Sequence, residues 1–184
     1  MDKTEYSDEH IITLCIAEAT LNKGFRLLME KYQVRLYWHI RRMVSTHENT
    51  DDVLQNAFIK VYKNLSKYRS ESKLYTWLYR IATNEAINHL RKEKRNQSLY
   101  IDDPDHCVQM LSADEYFDGN LAQKKLVAAI NLLPHKQKAV FNLRYYDEMT
   151  YSDMSEILGT SIGSLKASYH HAVKKIEKFI KGEG

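Results

Sequence analysis

A chain of 184 residues has room for one domain of ordinary size or two small ones, and its six glycines and two prolines predict a mostly helical protein with few turns. A formal charge of +3 is too small to demand a polyanionic partner, so the placement of charge along the chain matters more than its sum. No stretch is apolar enough to span a bilayer, the acids of MDKTEYSDEH replace the basic residues of a secretory signal, and Cys15 and Cys107 fit no metal-ligand spacing. A soluble, cytoplasmic protein with free thiols and neither metal nor cofactor is expected.

Residues 8–21 read as a weakly amphipathic helix with Ile12, Ile16 and Ala19 on one side. In GFRLLMEKYQVRLYWHIRRMV, Phe25, Leu28, Tyr32, Leu36, Ile40 and Met43 or Val44 recur at spacings of three and four, the mark of a core-facing stripe. After the turn STHENT, Thr50 is expected to cap a helix, with Asp51 and Asp52 at its positive end. That helix turns Val53, Leu54, Ala57, Phe58, Val61 and Leu65 inward. Asp52, Gln55, Asn56, Ile59 and Lys60 stay near the surface, by default a solvated face.

Residues 66–95 carry more information. A basic loop from Lys67 to Lys73 holds Tyr68 and Arg69. Leu74, Trp77, Leu78, Ile81 and Ala82 then define the apolar face of a helix. Tyr75, Thr76, Tyr79, Arg80, Thr83 and Asn84 lie around the remainder, and Arg91, Lys92, Lys94 and Arg95 end it. Rings interleaved with cations suit a single nucleic-acid strand: rings stack on unpaired bases, at about 1–3 kcal/mol per base, while Arg and Lys neutralise phosphates. Trp77 is expected in the core, and Tyr79 is open to the same reading.

Residues 96–120 break the pattern. Asp102, Asp103, Asp105, Asp114, Glu115 and Asp118 appear with no Lys or Arg, and Pro104 and Gly119 interrupt helix. This is a linker, a solvated tether whose acidity would also keep DNA-facing modules apart or mimic a strand. It divides a basic helical domain, 8–95, from a second, 121–184. In the latter, Leu126, Ala129, Ile130 and Leu133 precede Pro134, and Ala139, Val140, Leu143 and Tyr146 are expected to pack over the C-terminal helices.

The C-terminal stretch, Thr150 to Ile180, reads as two helices and a tight turn. Thr150 caps the first, with Met154, Ile157 and Leu158 inward; Gly159 supplies a left-handed exit; Ser161 caps the second. Ile162, Leu165, Tyr169, Val173, Ile176 and Ile180 form the apolar side of the second helix. Ser164, Lys166, Ala167, Ser168 and His170 are short or basic residues suited to an exposed contact face. The layout is that of a helix-turn-helix, although an ordinary helical hairpin would use the same caps. The fold class expected is all-α, two small bundles without a strand.

Three blocks of this chain resemble the bacterial RNA polymerase sigma factors of the extracytoplasmic-function (ECF) subfamily: DDVLQNAFIKVY, YRSESKLYTWLYRIATNEAINHLRKEKR, and LPHKQKAVFNLRYYDEMTYSDMSEILGTSIGSLKASYHHAVKKI. The resemblance implies that Asp52, Gln55, Asn56 and Phe58 dock on the β′ clamp helices of core polymerase, with the β flap as a second contact. It implies that Tyr68, Arg69, Lys73, Tyr75, Arg80, Asn84, Arg91, Lys92 and Arg95 open and read the −10 element, the loop capturing a base turned out of the duplex. It further implies that Ser164, Lys166, Ala167, Ser168, His170 and His171 face duplex −35 DNA, and that control comes from a separate anti-sigma factor. Two features depart from the family wording. Met154-Ser155 stands for the usual Ile-Ala, and the second helix lacks arginines near Ser168 and His171, which points to an altered or less salt-sensitive promoter grip.

An autonomous helix-turn-helix regulator would account for the C-terminal half but leaves the ring-and-cation loop and the Asp52–Lys60 face without a purpose. Catalysis is not expected: there is no glycine-rich phosphate loop and no HExxH, and adjacent His170 and His171 point apart on a helix.

Overall fold

The computed structural model describes residues 6–44, 46–68, 70–96 and 121–182, and all regular structure among them is helical. Contacts divide the chain into two compact units, one drawn from residues up to Ala86 with Glu156–Leu158, the other from the rest of the described chain. The acidic stretch, Cys107 and Arg69 lie outside the described residues.

The first unit opens with α1 (Asp8–Ile16), capped by Ser7, whose hydroxyl accepts from His10 N at 3.2 Å. The helix stops at Ala17 rather than running to residue 21. A 3₁₀ turn (Glu18–Thr20) comes next, pinned by Thr20 Oγ1 donating to Leu14 O at 2.8 Å. This corrects the expected inward face: Ile11 and Cys15 are buried, while Ile16 is 65 % exposed and Ala19 lies at the surface. α2 (Leu21–Met43) therefore starts earlier and doubles back, so close to α1 that a Cβ on Gly24 would meet Cys15 Sγ at 2.7 Å. Its predicted stripe holds: Leu28, Tyr32, Leu36, Ile40, Met43 and Val44 are all buried, with Phe25 half-buried.

α3 (His47–Asn64) is capped by Thr46, not Thr50; Thr46 accepts from Asn49 N at 3.2 Å, and Thr50, inside the helix, donates its hydroxyl to Thr46 O at 2.7 Å. Val53, Ala57, Val61 and Leu65 are buried as expected; Leu54 and Phe58 are half-buried. A 3₁₀ turn (Leu65–Lys67) and a loop lead to α4 (Leu74–Asn96). Here the buried face is wider than its apolar residues. Thr76, Tyr79 and Thr83 are buried beside Leu74, Leu78 and Ala82; buried His39 of α2 meets Thr83 Oγ1 at 2.8 Å and the Tyr79 ring at 4.9 Å, while the Thr76 hydroxyl is buried without a hydrogen bond among the described residues.

In the second unit α5 (Leu121–Asn131) and α6 (His135–Tyr145) both pack on the last helix. Ala129, Ile130, Leu133, Phe141, Ala172 and Ile176 form the core, with Leu126, Tyr146, Tyr169 and Val173 against it. The helix-turn-helix comprises α7 (Tyr151–Leu158) and α8 (Ile162–Lys181). Its punctuation is as expected: Thr150 accepts from Asp153 N at 3.1 Å, Gly159 has φ +60°, and Ser161 accepts from Ser164 N at 3.3 Å. Thr150 also donates to Asp153 Oδ2 at 2.7 Å, a reciprocal cap. Leu165 and Ile176 are buried, whereas Ile162 and Ile180, at the two ends of the stripe, are exposed.

Candidate nucleic-acid interface

The segment between α3 and α4 folds around an open cavity of about 340 Å³, lined by Lys67, Tyr68, Glu71, Ser72, Trp77 and Arg80. Tyr68 does not project into solvent as a free stacking ring. It is only 8 % exposed, donates its hydroxyl to Ser72 O, and sets its ring 5.1 Å from that of Trp77. Burial, the largest influence, pushes its phenol pKa up. Ser70 holds φ +57°, a left-handed conformation uncommon for a residue with a Cβ, and one that persists where surroundings over-determine it. Trp77, expected in the core, is only half-buried and forms part of the cavity wall.

Beyond the cavity, α4 presents Arg80 and Asn84 in the open, one turn apart; Arg91 and Lys92 are exposed further along, and Arg95 belongs to the last turns. Lys73 Nζ lies 3.4 Å from Tyr75 Oη and 5.5 Å from the centre of its ring. Cations, a half-buried indole and a concave wall thus share one segment, a surface that can hold an unstacked base and the phosphates beside it.

On α3, Asp52, Gln55 and Asn56 are exposed at helical spacing, and the same stripe continues to Ile59, 44 % exposed. Phe58 is half-buried and edge-on to Phe25 at 6.3 Å. Tyr62, 41 % exposed, escapes the sequence pattern; its ring sits 5.0 Å from Phe25 and its hydroxyl 3.3 Å from Asn22 Oδ1. Lys60 is engaged with Glu85.

On α8, Ser164, Lys166, Ala167, His170 and His171 are exposed and Ser168 is half-buried. Lys166 Nζ stands 5.8 Å from the centre of the Tyr151 ring, and the Arg144 guanidinium lies 5.3 Å from that ring while donating to Met149 O at 2.9 Å. Two cations from different helices therefore converge on one aromatic at the start of α7. Sequence reasoning names Lys166 alone; Arg144 and Tyr151 are far from it along the chain, and no local pattern links them.

Together these features define an all-helical protein with a DNA-binding helix-turn-helix module. Comparison with known proteins takes this further: residues 28–96 match the Sigma-70 region 2 family and residues 123–176 the Sigma-70, region 4 family. The chain is 30 % identical to the ECF RNA polymerase sigma-E factor of Haemophilus influenzae over 167 residues, 86 % of this chain and 88 % of that protein. It is 31 % identical to the RNA polymerase sigma-H factor of Pseudomonas aeruginosa over 172 residues, 85 % and 86 % of the two chains. The chain belongs to the ECF family of RNA polymerase sigma factors, and so works in transcription initiation with core polymerase and promoter DNA. In fold it resembles the sigma factor RpoE, solved with the anti-sigma factor NepR from Bartonella quintana (TM-score 0.66, 22 % identity, 86 % of this chain and 98 % of that one). It also resembles CnrH, solved with the cytosolic domain of CnrY (TM-score 0.69, 16 % identity, 96 % and 99 %). Among the described residues no helix is long and apolar enough to cross a membrane.

Proposed function

We propose that this sigma factor divides promoter recognition between its two halves, residues 8–95 reading and melting the −10 element and residues 121–184 gripping the −35 duplex. The observation that carries this is the cavity of Lys67, Tyr68, Glu71, Ser72, Trp77 and Arg80, in line with exposed Arg80 and Asn84. An unpaired base fits against Trp77 there, worth about 1–3 kcal/mol, while Arg80, Arg91 and Lys92 neutralise the strand's phosphates. That energy offsets unstacking and so favours the melted state. Tyr68 serves the loop from inside, and Lys73 and Tyr75 lie along the strand's path, with Arg69 and Arg95 assigned to the same strand from the sequence.

On the duplex side Ser164, Lys166, Ala167 and His170 or His171 enter the major groove, where the Ala167 methyl suits a thymine methyl. Arg144 and Lys166 around Tyr151 supply phosphate contacts that replace the arginines missing from α8. Asp52, Gln55, Asn56 and Ile59 form the face docked on the β′ clamp helices, with the β flap as a second contact. RpoE is solved with the anti-sigma factor NepR and CnrH with the cytosolic domain of CnrY, which supports a separate anti-sigma factor as the control of this chain.

The test is stoichiometric co-elution with bacterial core polymerase, followed by transcription from a promoter selected by the mixture. Replacing Trp77 and Arg80 with alanine should lower permanganate reactivity of unpaired −10 thymines more than closed-complex formation. Equal loss of both removes the strand-reading role. Tight duplex binding without polymerase would favour an autonomous regulator.

A further inference from the structure

The strand-reading cavity is built on a loop with a left-handed serine, and something outside the loop must hold it. The structure offers one such contact. Asp8, the first residue of α1, accepts hydrogen bonds from the Tyr32 hydroxyl at 2.7 and 2.8 Å and pairs with Lys31 Nζ at 2.9 Å. Lys31 also donates to Tyr6 O at 2.9 Å, tying the chain ahead of α1 into the same cluster. Tyr32 is buried, and α1 packs on the 3₁₀ turn Leu65–Lys67 that leads into Tyr68. From there Tyr68 closes the loop onto Ser72 and sets its ring beside Trp77.

We propose that Asp8 is a positioning residue for promoter melting: through Tyr32 and Lys31 it fixes α1 against the Leu65–Lys67 turn and thereby holds the Tyr68 loop in the shape that receives an unpaired base. The proposal rests on the strand-reading role given above. It assigns the start of α1 a task that neither its weak amphipathic pattern nor its place outside the loop would suggest. Electrostatics agrees with the geometry: burial raises the phenol pKa of both Tyr32 and Tyr68, and the negative charge of Asp8 adds to each, so its carboxylate lies within electrostatic reach of the loop.

The experiment uses holoenzyme reconstituted from the full chain and bacterial core polymerase. Its probe is the single-stranded DNA that the unmodified holoenzyme enriches from a randomised −10 library. Asp8→Ala and Tyr32→Phe should each weaken strand binding about tenfold, the scale of one charge-assisted hydrogen bond. Asp8→Asn, which keeps an acceptor for Tyr32 but loses the pair with Lys31, should recover part of it, and core affinity should not change. Ile11→Val, a core trim on the same helix, is the control for lost stability: at a comparable drop in Tm it should leave strand binding intact. If Ile11→Val and Asp8→Ala weaken strand binding alike, or if Asp8→Ala has no effect while Trp77→Ala does, the brace is overturned and the loop's role survives. If Trp77→Ala and Arg80→Ala also leave strand binding unchanged, the strand-reading assignment itself falls.

Discussion

Gly159 and Gly163 stand four residues apart in the helix-turn-helix, and the same substitution at each should move stability in opposite directions. At neither position would a Cβ meet another atom within 4 Å, so packing contributes nothing and the backbone decides. Gly159 sits at φ +60°, where an L side chain costs roughly 1–2 kcal/mol. The stiffer unfolded chain returns about 0.4–1 kcal/mol, leaving Gly159→Ala destabilising by about 1 kcal/mol. Gly163 lies inside the first turn of α8, where alanine is the better helix former by up to about 1 kcal/mol. Close to a helix end about half of that is expected, so Gly163→Ala should stabilise by about 0.5 kcal/mol. Urea titration of both variants, followed by circular dichroism, should separate their midpoints on either side of the parent, with unchanged slopes. A stabilising Gly159→Ala would show that the left-handed exit is not what Gly159 is there for.

Lys166→Ala should weaken duplex −35 binding by the holoenzyme and lower the salt slope by about one, with core binding intact; equal loss of core binding would overturn the domain assignment. Gly24→Ala places a methyl 2.7 Å from Cys15 Sγ and 2.8 Å from Cys15 N, close to backbone that cannot easily yield. A cost of about 1–3 kcal/mol is expected in denaturant titration, and a neutral result would mean that α1 and α2 part more readily than their packing implies. Burial raises the Cys15 thiol from its ordinary 9.0 to about 11. The unfolded thiol thus ionises first, so this contribution to stability is complete below pH 9 and is lost as pH climbs through about 11. At pH 8 Cys15 in the folded chain should resist iodoacetamide and react only after denaturant is added.

Much of this architecture was legible because the signals are local. Thr150, Gly159 and Ser161 act through hydrogen bonds and dihedrals within a few residues of themselves, and a stripe such as Leu28, Tyr32, Leu36 and Ile40 needs only the helical period. The misses come where a distant partner decides. Thr46 and Thr50 each precede acidic residues, and both could cap α3. The earlier start places His47 Nδ1 2.6 Å from the Tyr37 hydroxyl of α2, a contact no window of sequence contains. Tyr68 reads as a surface ring because its neighbours are polar, yet Trp77 and the Ser72 carbonyl draw it inward. Arg144, Tyr151 and Lys166 meet only once α6, α7 and α8 are packed.

The polar residues buried in α4 point to a requirement beyond stability. A helix whose task is to present Arg80 and Asn84 must be fixed in rotation, and an apolar face alone leaves several rotational settings close in energy. His39 meeting Thr83 at 2.8 Å removes that freedom, because a turn of one residue, about 100°, would break that bond and leave the Thr83 hydroxyl buried without it. Thr83 adjoins Asn84 in the chain, so the buried contact sets the direction of the exposed one directly. Replacing both by apolar residues of similar shape removes this bond and the constraint with it. The chain His39→Leu, Thr83→Val should therefore still fold cooperatively while losing strand affinity and base preference at the −10 position. A variant that kept both would show that the rotational setting of α4 is held by its apolar packing alone.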